Sequence, residues 1–337
     1  MPISAASCRL EHSSRAQPPG ERADPSGGPR GGSLPPPAPA ATAVRTAYDA
    51  IAGAYDDQVA PSTWVREQLW QRLDALFAPG ARVLDATAGT GCDALHLAAR
   101  GVAVTACDIS PLMLGRLAAA KAPSISSIST RVADCANLAA AFPAERFDGV
   151  VSTFAGLNTV ADLAGFARGA AGLLEPGGVL FVHLLNRLPV ADLVRRFRRR
   201  GPRAGAAGVA AAWRGSRLVE IGEVPVPHRL HSPGRLYAQV FARDFELLRV
   251  SGQGVWRPVD DPPRPADPAE RVDPTNVGEE MERRAPDRRH RWEERLGAWS
   301  WSRGLGTFFT LEMRRRIGAD AGSPSPAGPN PAEVAPR

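Results

Sequence analysis

The sequence predicts a doubly wound α/β fold, in which helices cover both faces of a mostly parallel sheet. From Arg82 onward, short apolar runs alternate with helical stretches, which is the pattern of successive βαβ units. The first run ends at Asp85 and turns through Gly89 and Gly91 into a helix, and the next run ends in a second acid, Asp108. Acids that end neighbouring strands beside a glycine-rich turn indicate a ligand site at the carboxyl edge of such a sheet.

Two helices are predicted before the first strand. Apolar residues recur at helical spacing over residues 46–56, and a second apolar stripe begins after Ser62 or Thr63 and ends at Pro79-Gly80. Short apolar runs then predict strands at residues 82–86, 102–107, 130–133, 147–152 and 179–184. Helices are predicted after Gly91, after the capping pair Ser110-Pro111 and over residues 160–174.

The pattern changes after Leu188. Residues 188–215 are rich in Arg and Ala and indicate helical or mobile structure, whereas residues 217–226 alternate as an added strand or hairpin would. The remaining predictions are a helix beginning at Ser232-Pro233, strands at 245–250 and 307–313, and a long surface loop over the Pro- and Asp-rich residues 257–287. We interpret residues 188–230 as an insertion on the substrate side.

The two ends of the chain differ from its middle in composition. Residues 1–41 and 318–337 are rich in Pro, Gly and Ser, with too little apolar surface to offset chain entropy. We expect disorder in both segments and one folded domain over residues 42–317. No apolar run approaches the roughly 20 residues of a membrane span, and the N-terminus lacks an apolar signal core. We therefore expect a cytoplasmic protein without a membrane partner.

The formal net charge of +6 raises the question of nucleic acid binding. Nearly all of the basic residues are arginine, however, and the densest cluster, residues 195–200, is typical of a solvated helix face. We therefore do not expect a nucleic acid partner.

The four cysteines, Cys8, Cys92, Cys107 and Cys135, have no paired spacing with one another or with histidine, so we expect reduced thiols and no metal site.

The loop from Asp85 to Gly91 is the most informative segment. Glycine lets the backbone turn tightly and lets a ligand approach closely, and the spacing also fits the GxGxxA pattern of dinucleotide sites. The carboxylate of Asp85 would repel a pyrophosphate but attract an ammonium group, directly or through water. Asp108 has the position of a ribose-binding acid, and Asp134, after the third strand, could accept a hydrogen bond from an adenine amine.

Residues 46–186 resemble class I S-adenosylmethionine (SAM)-dependent methyltransferases of the small-molecule type. The matching motifs follow in the family's order, at residues 85–91, 107–110, 133–135, 147–154 and 174–179. The resemblance implies a Rossmann-like seven-stranded sheet whose last strand, at 307–313, is antiparallel. It also implies SAM as the cofactor and a small-molecule methyl acceptor as the partner.

The resemblance further implies which residues contact SAM. They are Tyr55, Asp85, Thr87, Ala88, Gly89, Thr90, Gly91, Asp108, Ile109, Met113, Asp134, Cys135, Thr153 and Phe154. Thr87 departs from the family pattern, which usually has glycine there, and a β-branched residue disfavours a positive φ. Tyr48 and Tyr55 fit either a lid over the cofactor or the core, and Met113 fits either an adenine contact or a gap in the core.

Two residues near the carboxyl edge are candidates for acceptor chemistry. Asn158 follows the fourth predicted strand, and His183 ends the fifth, where it is a weak candidate for a general base. A base is optional, because the methyl group of SAM is already activated and needs mainly an aligned nucleophile and exclusion of water. The segment after the fourth strand lacks the Asn/Asp-Pro-Pro-aromatic signature of the adenine methyltransferases that resemble this fold.

Two other functions stay open at this point. Thr87 stands where the family usually has glycine, and no base is evident in the sequence. Both observations motivate a second hypothesis, an inactive methyltransferase-like binding module. The GxGxxA spacing motivates a nucleotide-dependent oxidoreductase.

Overall fold

The computed structural model describes residues 41–59, 63–120, 127–221, 224–256, 259, 288–299 and 302–317. The predicted N-terminal extension up to residue 40, the tail, Ser62 and almost all of the 257–287 loop lie outside the described residues. Among the described residues, no helix is both long and apolar enough to cross a membrane.

The strands occur close to their predicted positions. They are β1 (Arg82–Asp85), β2 (Ala103–Asp108), β3 (Ile128–Val132), β4 (Phe147–Ser152), β5 (Leu174–Leu185), β6 (Ser216–Ile221), β7 (Val224–Arg229), β8 (Phe245–Gln253) and β9 (Phe308–Arg315). The helices are α1 (Ala41–Ile51), α2 (Tyr55–Val59), α3 (Thr63–Leu76), α4 (Cys92–Ala99), α5 (Pro111–Ala120), α6 (Leu138–Ala141), α7 (Leu163–Leu173), α8 (Val190–Arg214), α9 (Pro233–Leu236) and α10 (Arg288–Ala298).

Seven strands form one sheet in the order β3-β2-β1-β4-β5-β9-β8. The first five are parallel to one another, and β9 is antiparallel to both of its neighbours. This order confirms the doubly wound seven-stranded sheet with an antiparallel last strand. The carboxyl ends of β1, β2 and β4 therefore meet at one edge, where the order of the sheet reverses.

The sheet buries side chains on both faces, as a doubly wound fold requires. Leu84, Val150 and Leu180 belong to one apolar cluster, whereas Val83 and Val151 belong to the other. The second cluster also takes in Trp64, Val65 and Leu69 of α3. Each such side chain removed from water contributes about 1.5–3 kcal/mol to stability.

A smaller apolar cluster covers the carboxyl edge of the sheet. Strands β6 and β7 pair as an antiparallel ribbon, and Ile221 and Val226 of this ribbon pack with Val44 and Ala47 of α1. We call α1 together with the β6–β7 pair the roof. Met113 of α5 is fully buried in the same cluster, so the roof rests on the doubly wound core.

Several predicted boundaries are wrong. The helix predicted over residues 46–56 begins at Ala41 and breaks into α1 and α2. Strand β5 begins at Leu174 and not at residue 179, because Leu174 pairs with Phe147 before a register shift at Gly149. Residues 188–215, which were predicted to be helical or mobile, are helical: they contain α8, whose two helical segments meet at Gly201.

Candidate functional site

A cavity of about 170 Å³ opens at the carboxyl edge of β1, β2 and β4. Its floor is the loop between β1 and α4, and Tyr48 and Val44 of the roof line it from above. Of the predicted contacts, those that line the cavity are Tyr55, Thr87, Ala88, Gly89, Thr90, Asp108, Ile109, Met113, Asp134, Cys135, Thr153 and Phe154. Asp85, Gly91, Asn158 and His183 are not among the lining residues.

The two glycines of the loop serve different purposes. Gly89 (φ +56°) faces the cavity, where a Cβ would meet only Tyr55 at 4.0 Å. Gly91 (φ +86°) packs inward, and a Cβ there would lie 2.3 Å from Leu117. A side chain at Gly91 would therefore disrupt the seating of α5 against the loop, although Gly91 lies outside the cavity.

Thr87 occupies its position without backbone strain. In the described part of the chain, the non-glycine residues with positive φ are Phe154 and Ala155, so Thr87 does not need glycine's freedom. Its hydroxyl shares a hydrogen bond with the hydroxyl of Ser152 at 2.7 Å. A Cβ at Gly156 would lie 2.6 Å from the Cβ of Thr87, so Thr87 takes up space that Gly156 leaves open.

Asp108 is the anchored acid of the cavity. Its Oδ2 accepts the backbone N–H of Gly89 and its Oδ1 accepts that of Ser110, both at 2.8 Å. A carboxylate has about four acceptor positions, so both oxygens retain capacity toward the cavity. Burial raises the pKa of Asp108, although the backbone hydrogen bonds act in the opposite direction and lower it.

Ser110 joins this acid to the roof. Its hydroxyl caps α5 by accepting the N–H of Met113 at 3.1 Å, as predicted, and it donates to Asp49 of α1 at 2.5 Å. Below α2, the hydroxyl of Thr90 donates to Asp56 at 2.6 Å. Polar contacts therefore hold α1 and α2 over the glycine loop.

Asp134 and Cys135 border the cavity beyond β3. Asp134 caps a short 3₁₀ turn by accepting the N–H of Ala136 at 2.9 Å. Burial raises the pKa of the Cys135 thiol well above its usual range, so the sulfur stays protonated. Cys135 can offer the cavity its backbone and an apolar surface.

Asp85 lies beneath the cavity floor. Its Oδ1 is 3.4 Å from the N–H of Thr87, and its Oδ2 is buried without a hydrogen-bond partner. Burial and the neighbouring carboxylate of Asp93 raise the pKa of Asp85 well above its usual range. A buried acceptor without a donor is costly, so Asp85 is suited to a donor that arrives from outside the chain.

A charged network that the sequence did not reveal forms one wall. Asp93 accepts hydrogen bonds from Arg66 at 2.7 Å, from Trp70 at 2.6 Å, and from the hydroxyl of Thr153. Burial opposes ionisation of Asp93, but Arg66 and these hydrogen bonds lower its pKa overall. The only feature of the local sequence that points to this network is an acid two residues after Gly91. Nothing in the sequence of α3 marks Arg66 as part of it.

The chain is strained where β4 ends. Phe154 (φ 47°) and Ala155 (φ 66°) both have left-handed backbone conformations, which cost non-glycine residues about 1–2 kcal/mol each. The guanidinium of Arg66 lies 4.1 Å from the centre of the Phe154 ring. Strain that persists at such a position indicates a geometric requirement, here the orientation of an aromatic wall.

His183 holds this strained turn from behind. Its Nδ1 accepts the N–H of Phe154 and its carbonyl accepts the N–H of Ala155, each at 3.1 Å. The imidazole is fully buried, and Phe308 lies 4.5 Å away between ring centres. Burial lowers the pKa of His183 to about 3, so the ring stays neutral.

Asn158 is also committed to the backbone. Its Oδ1 accepts the N–H of Leu185 at 3.0 Å, and its Nδ2 donates to the carbonyl of Arg229. These contacts tie the turn after β4 to both β5 and β7.

The two tyrosines of the roof meet edge to face, with ring centres 6.2 Å apart. Both line the cavity and both are half-buried against the apolar cluster of the roof, so each fits the lid and the core alternatives alike. Burial raises the pKa of both phenols, that of Tyr55 to about 12, so both stay protonated.

In the described residues, no group of three or more His, Cys, Asp or Glu side chains could hold a metal ion.

Comparison with known proteins gives one family match, to the methyltransferase domain over residues 83–178. A demethylmenaquinone methyltransferase from Tropheryma whipplei (strain Twist) is 33% identical over 142 residues, which are 41% of this chain and 57% of that protein. A ubiquinone biosynthesis O-methyltransferase from Xanthomonas campestris pv. campestris (strain B100) is 38% identical over 124 residues, or 36% of this chain and 51% of that protein. The chain thus spans little more than half the length of these relatives.

Among solved structures, an S-adenosylmethionine-dependent methyltransferase from Mesorhizobium loti aligns with 73% of this chain and 97% of that chain, at 18% identity and a TM-score of 0.46. The family match runs from β1 into β5 and so includes the whole glycine loop, Asp108 and Asp134. This part of the chain therefore matches the methyltransferase-domain family.

Proposed function

We propose that the chain is an active SAM-dependent methyltransferase that acts on a small-molecule acceptor. The observation that carries the proposal is Asp108, whose two oxygens are fixed by backbone N–H groups while the side chain faces the cavity. Such a carboxylate is prepared to accept hydrogen bonds from the two hydroxyl groups of a ribose.

The other lining residues fit the remaining parts of SAM. Met113 and Ile109 offer an apolar surface for adenine, and Asp134 can accept a hydrogen bond from its amine. The unpartnered Oδ2 of Asp85 suits the ammonium group, directly or through water. Arg66 is the one cationic side chain among the described residues that line the cavity, and it suits the carboxylate.

SAM, when bound, supplies a methyl group on a sulfonium, which a nucleophile can attack in line. The residues of the chain then have to orient the acceptor and exclude water. Thr153, Phe154 and Thr159 line the cavity at and beyond the carboxyl end of β4, where the acceptor would lie. The lining residues include no histidine or lysine, so an acceptor such as a phenol or a quinol would lose its proton to water or to a carboxylate that lines the cavity.

The first test is binding of SAM and S-adenosylhomocysteine to the full chain by calorimetry. We expect micromolar affinity for the wild type and at least about tenfold weaker binding for Asp108→Ala, because a hydrogen bond to a charged group contributes about 1.5–3 kcal/mol. Asp148→Asn is the matched control, since Asp148 is exposed and bonds to Arg82 at the other end of β1.

Transfer of labelled methyl groups to a panel of phenols and quinols follows, a choice that rests on the names of the two relatives. Tight SAM binding without turnover on any acceptor would instead support a binding module. A folded chain that prefers a nicotinamide cofactor would support the oxidoreductase.

A further inference from the structure

Helix α8 is two helices that fold back on each other. Gly201 (φ 81°, ψ 177°) interrupts the helix and Pro202 follows it. A Cβ at Gly205 would meet the ring of Phe197 at 2.3 Å, and one at Gly208 would meet Leu193 at 2.8 Å. In each of these contacts, one residue precedes Gly201 in the sequence and the other follows it. Such contacts require the two halves of α8 to run antiparallel. We call Val190–Arg214 the helical hairpin.

The helical hairpin exposes apolar side chains along both of its helices. Val194 is 51% exposed and Phe197 43%, while Val209 is 47% and Trp213 84% exposed. Each pair is spaced by three or four residues and so forms a stripe on one side of its helix. Because the helices are antiparallel and touch through Phe197 and Gly205, helical geometry directs both stripes to the same side of the hairpin.

The helical hairpin is also strongly basic. Val190–Arg214 contains seven arginines and one acid, Asp192, which pairs with Arg195 at 2.7 Å. Arg198, Arg199, Arg200 and Arg203 surround the turn and are exposed. An apolar stripe that contains Trp and Phe and is flanked by arginine is typical of a helix that lies in the interface of a membrane.

We propose that the helical hairpin binds the surface of an anionic lipid bilayer. Its positive charge complements anionic headgroups, and the stripe of Val194, Phe197, Val209 and Trp213 enters the boundary with the acyl chains. A nucleic acid would complement the charge but would leave the apolar stripe without a partner. The helical hairpin follows the carboxyl end of β5, and Arg187 bonds to the carbonyls of Ala212 and Trp213, so its base is fixed at the edge of the sheet that holds the cavity.

This proposal is independent of methyl transfer and is tested by flotation of the full chain with lipid vesicles. We expect the chain to float with phosphatidylcholine vesicles that contain phosphatidylglycerol, and not with phosphatidylcholine alone. Added salt should reduce the bound fraction. The variant R198Q/R199Q/R200Q/R203Q should bind more weakly by about tenfold or more, since each arginine near an anionic surface adds to the affinity.

The apolar variant V194S/V209S/W213S separates this surface from a purely electrostatic one. It keeps every charge, and we expect it to lose at least about fivefold in vesicle binding. Trp256→Ser is the matched control, because Trp256 is also exposed but lies outside the helical hairpin, and it should bind as the wild type does. Far-UV circular dichroism and S-adenosylhomocysteine binding check that each variant is folded.

Three results would overturn the proposal. The first is an apolar variant that floats as well as the wild type. The second is a chain that does not float but binds single-stranded RNA with salt-sensitive affinity. The third is a chain that does not float but forms a concentration-dependent dimer that the apolar variant cannot form.

Discussion

His183 affects the cavity through a backbone that it holds, since the imidazole itself is fully buried and its neutral Nδ1 accepts the N–H of Phe154. His183→Asn places an amide oxygen near the position of Nδ1 and keeps this acceptor, so we expect S-adenosylhomocysteine affinity and kcat/KM within about threefold of wild type. His183→Leu removes the acceptor, which costs about 1–3 kcal/mol, and we expect about tenfold lower kcat/KM. Adding Ala155→Gly should recover part of that loss, because glycine tolerates the φ of 66°.

The pH profile distinguishes this positioning role from catalysis by a base. Because the pKa of His183 lies near 3, the ring does not titrate near neutral pH. We expect wild type and His183→Asn to share one profile of kcat/KM. A fall in kcat/KM as the pH drops through neutrality that is present in wild type and absent in His183→Asn, with cofactor binding intact, would make His183 the base.

Asp85 should destabilise the chain when no ligand is bound. Its folded pKa is raised, so the unpaired charge costs stability above that pKa, and the cost fades as the pH falls from the folded pKa toward the unfolded value. We expect Asp85→Asn to raise the free energy of unfolding at neutral pH by about 1–3 kcal/mol, the usual cost of an unsatisfied buried group. Urea unfolding at several pH values measures this difference, which should shrink on acidification. A variant that is less stable than wild type at every pH would contradict the argument.

The loop after β1 and the turn after β4 depend on each other through Thr87 and Gly156. A Cβ at Gly156 would approach Thr87 within 3 Å, so we expect Gly156→Ala to cost about 1–3 kcal/mol. The double variant Thr87→Gly with Gly156→Ala should recover most of this loss in urea unfolding. Gly172→Ala is the control, because its Cβ meets nothing within 4 Å; independent, additive effects at residues 87 and 156 would disprove the coupling.

Local patterns predicted the elements well where one signal dominated. The strands of the parallel sheet were found because apolar runs between turn signals are a local property. Residues 174–178 were assigned to the end of a helix and a turn because of Pro176, Gly177 and Gly178, yet β5 passes through them since Leu174 pairs with Phe147. A pairing partner that lies 27 residues away cannot be predicted from the sequence of the segment alone.

The candidate site shows the same division. The glycine loop and the acids Asp108 and Asp134 were predicted, because each follows a strand in sequence. Arg66 was missed, since only tertiary packing brings it from α3 to Asp93. The backbone strain at Phe154 was also missed, because no sequence pattern predicts a left-handed conformation at a residue other than glycine.

An ion pair between distant parts of the chain joins α3 to β9, the last strand. Arg72 donates two hydrogen bonds of 2.8 Å to the buried Glu312 of β9. We expect Arg72→Met to lower the free energy of unfolding by about 1–3 kcal/mol, less than the 3–5 kcal/mol of a fully buried pair, because Arg72 is partly exposed and Arg249 lies 3.9 Å from Glu312. Urea unfolding measures the loss.

A control separates this pair from surface charge in general. Arg168→Met removes an exposed pair with Asp162 at 3.7 Å and should change stability by less than about 1 kcal/mol. Adding Glu312→Leu to Arg72→Met should recover stability, since it removes the unpaired buried charge. Equal losses for Arg72→Met and Arg168→Met would show that the long-range pair has no special role.

The position of β9 between β5 and β8 has a consequence for how the protein is made. A ribosome completes β5 and β8 well before it reaches residue 308, and until then each of them has an edge without its partner. Open strand edges invite pairing with other chains, and partly folded intermediates aggregate for this reason. A chain truncated before β9 would therefore leave β5 and β8 without the strand that pairs with both of them.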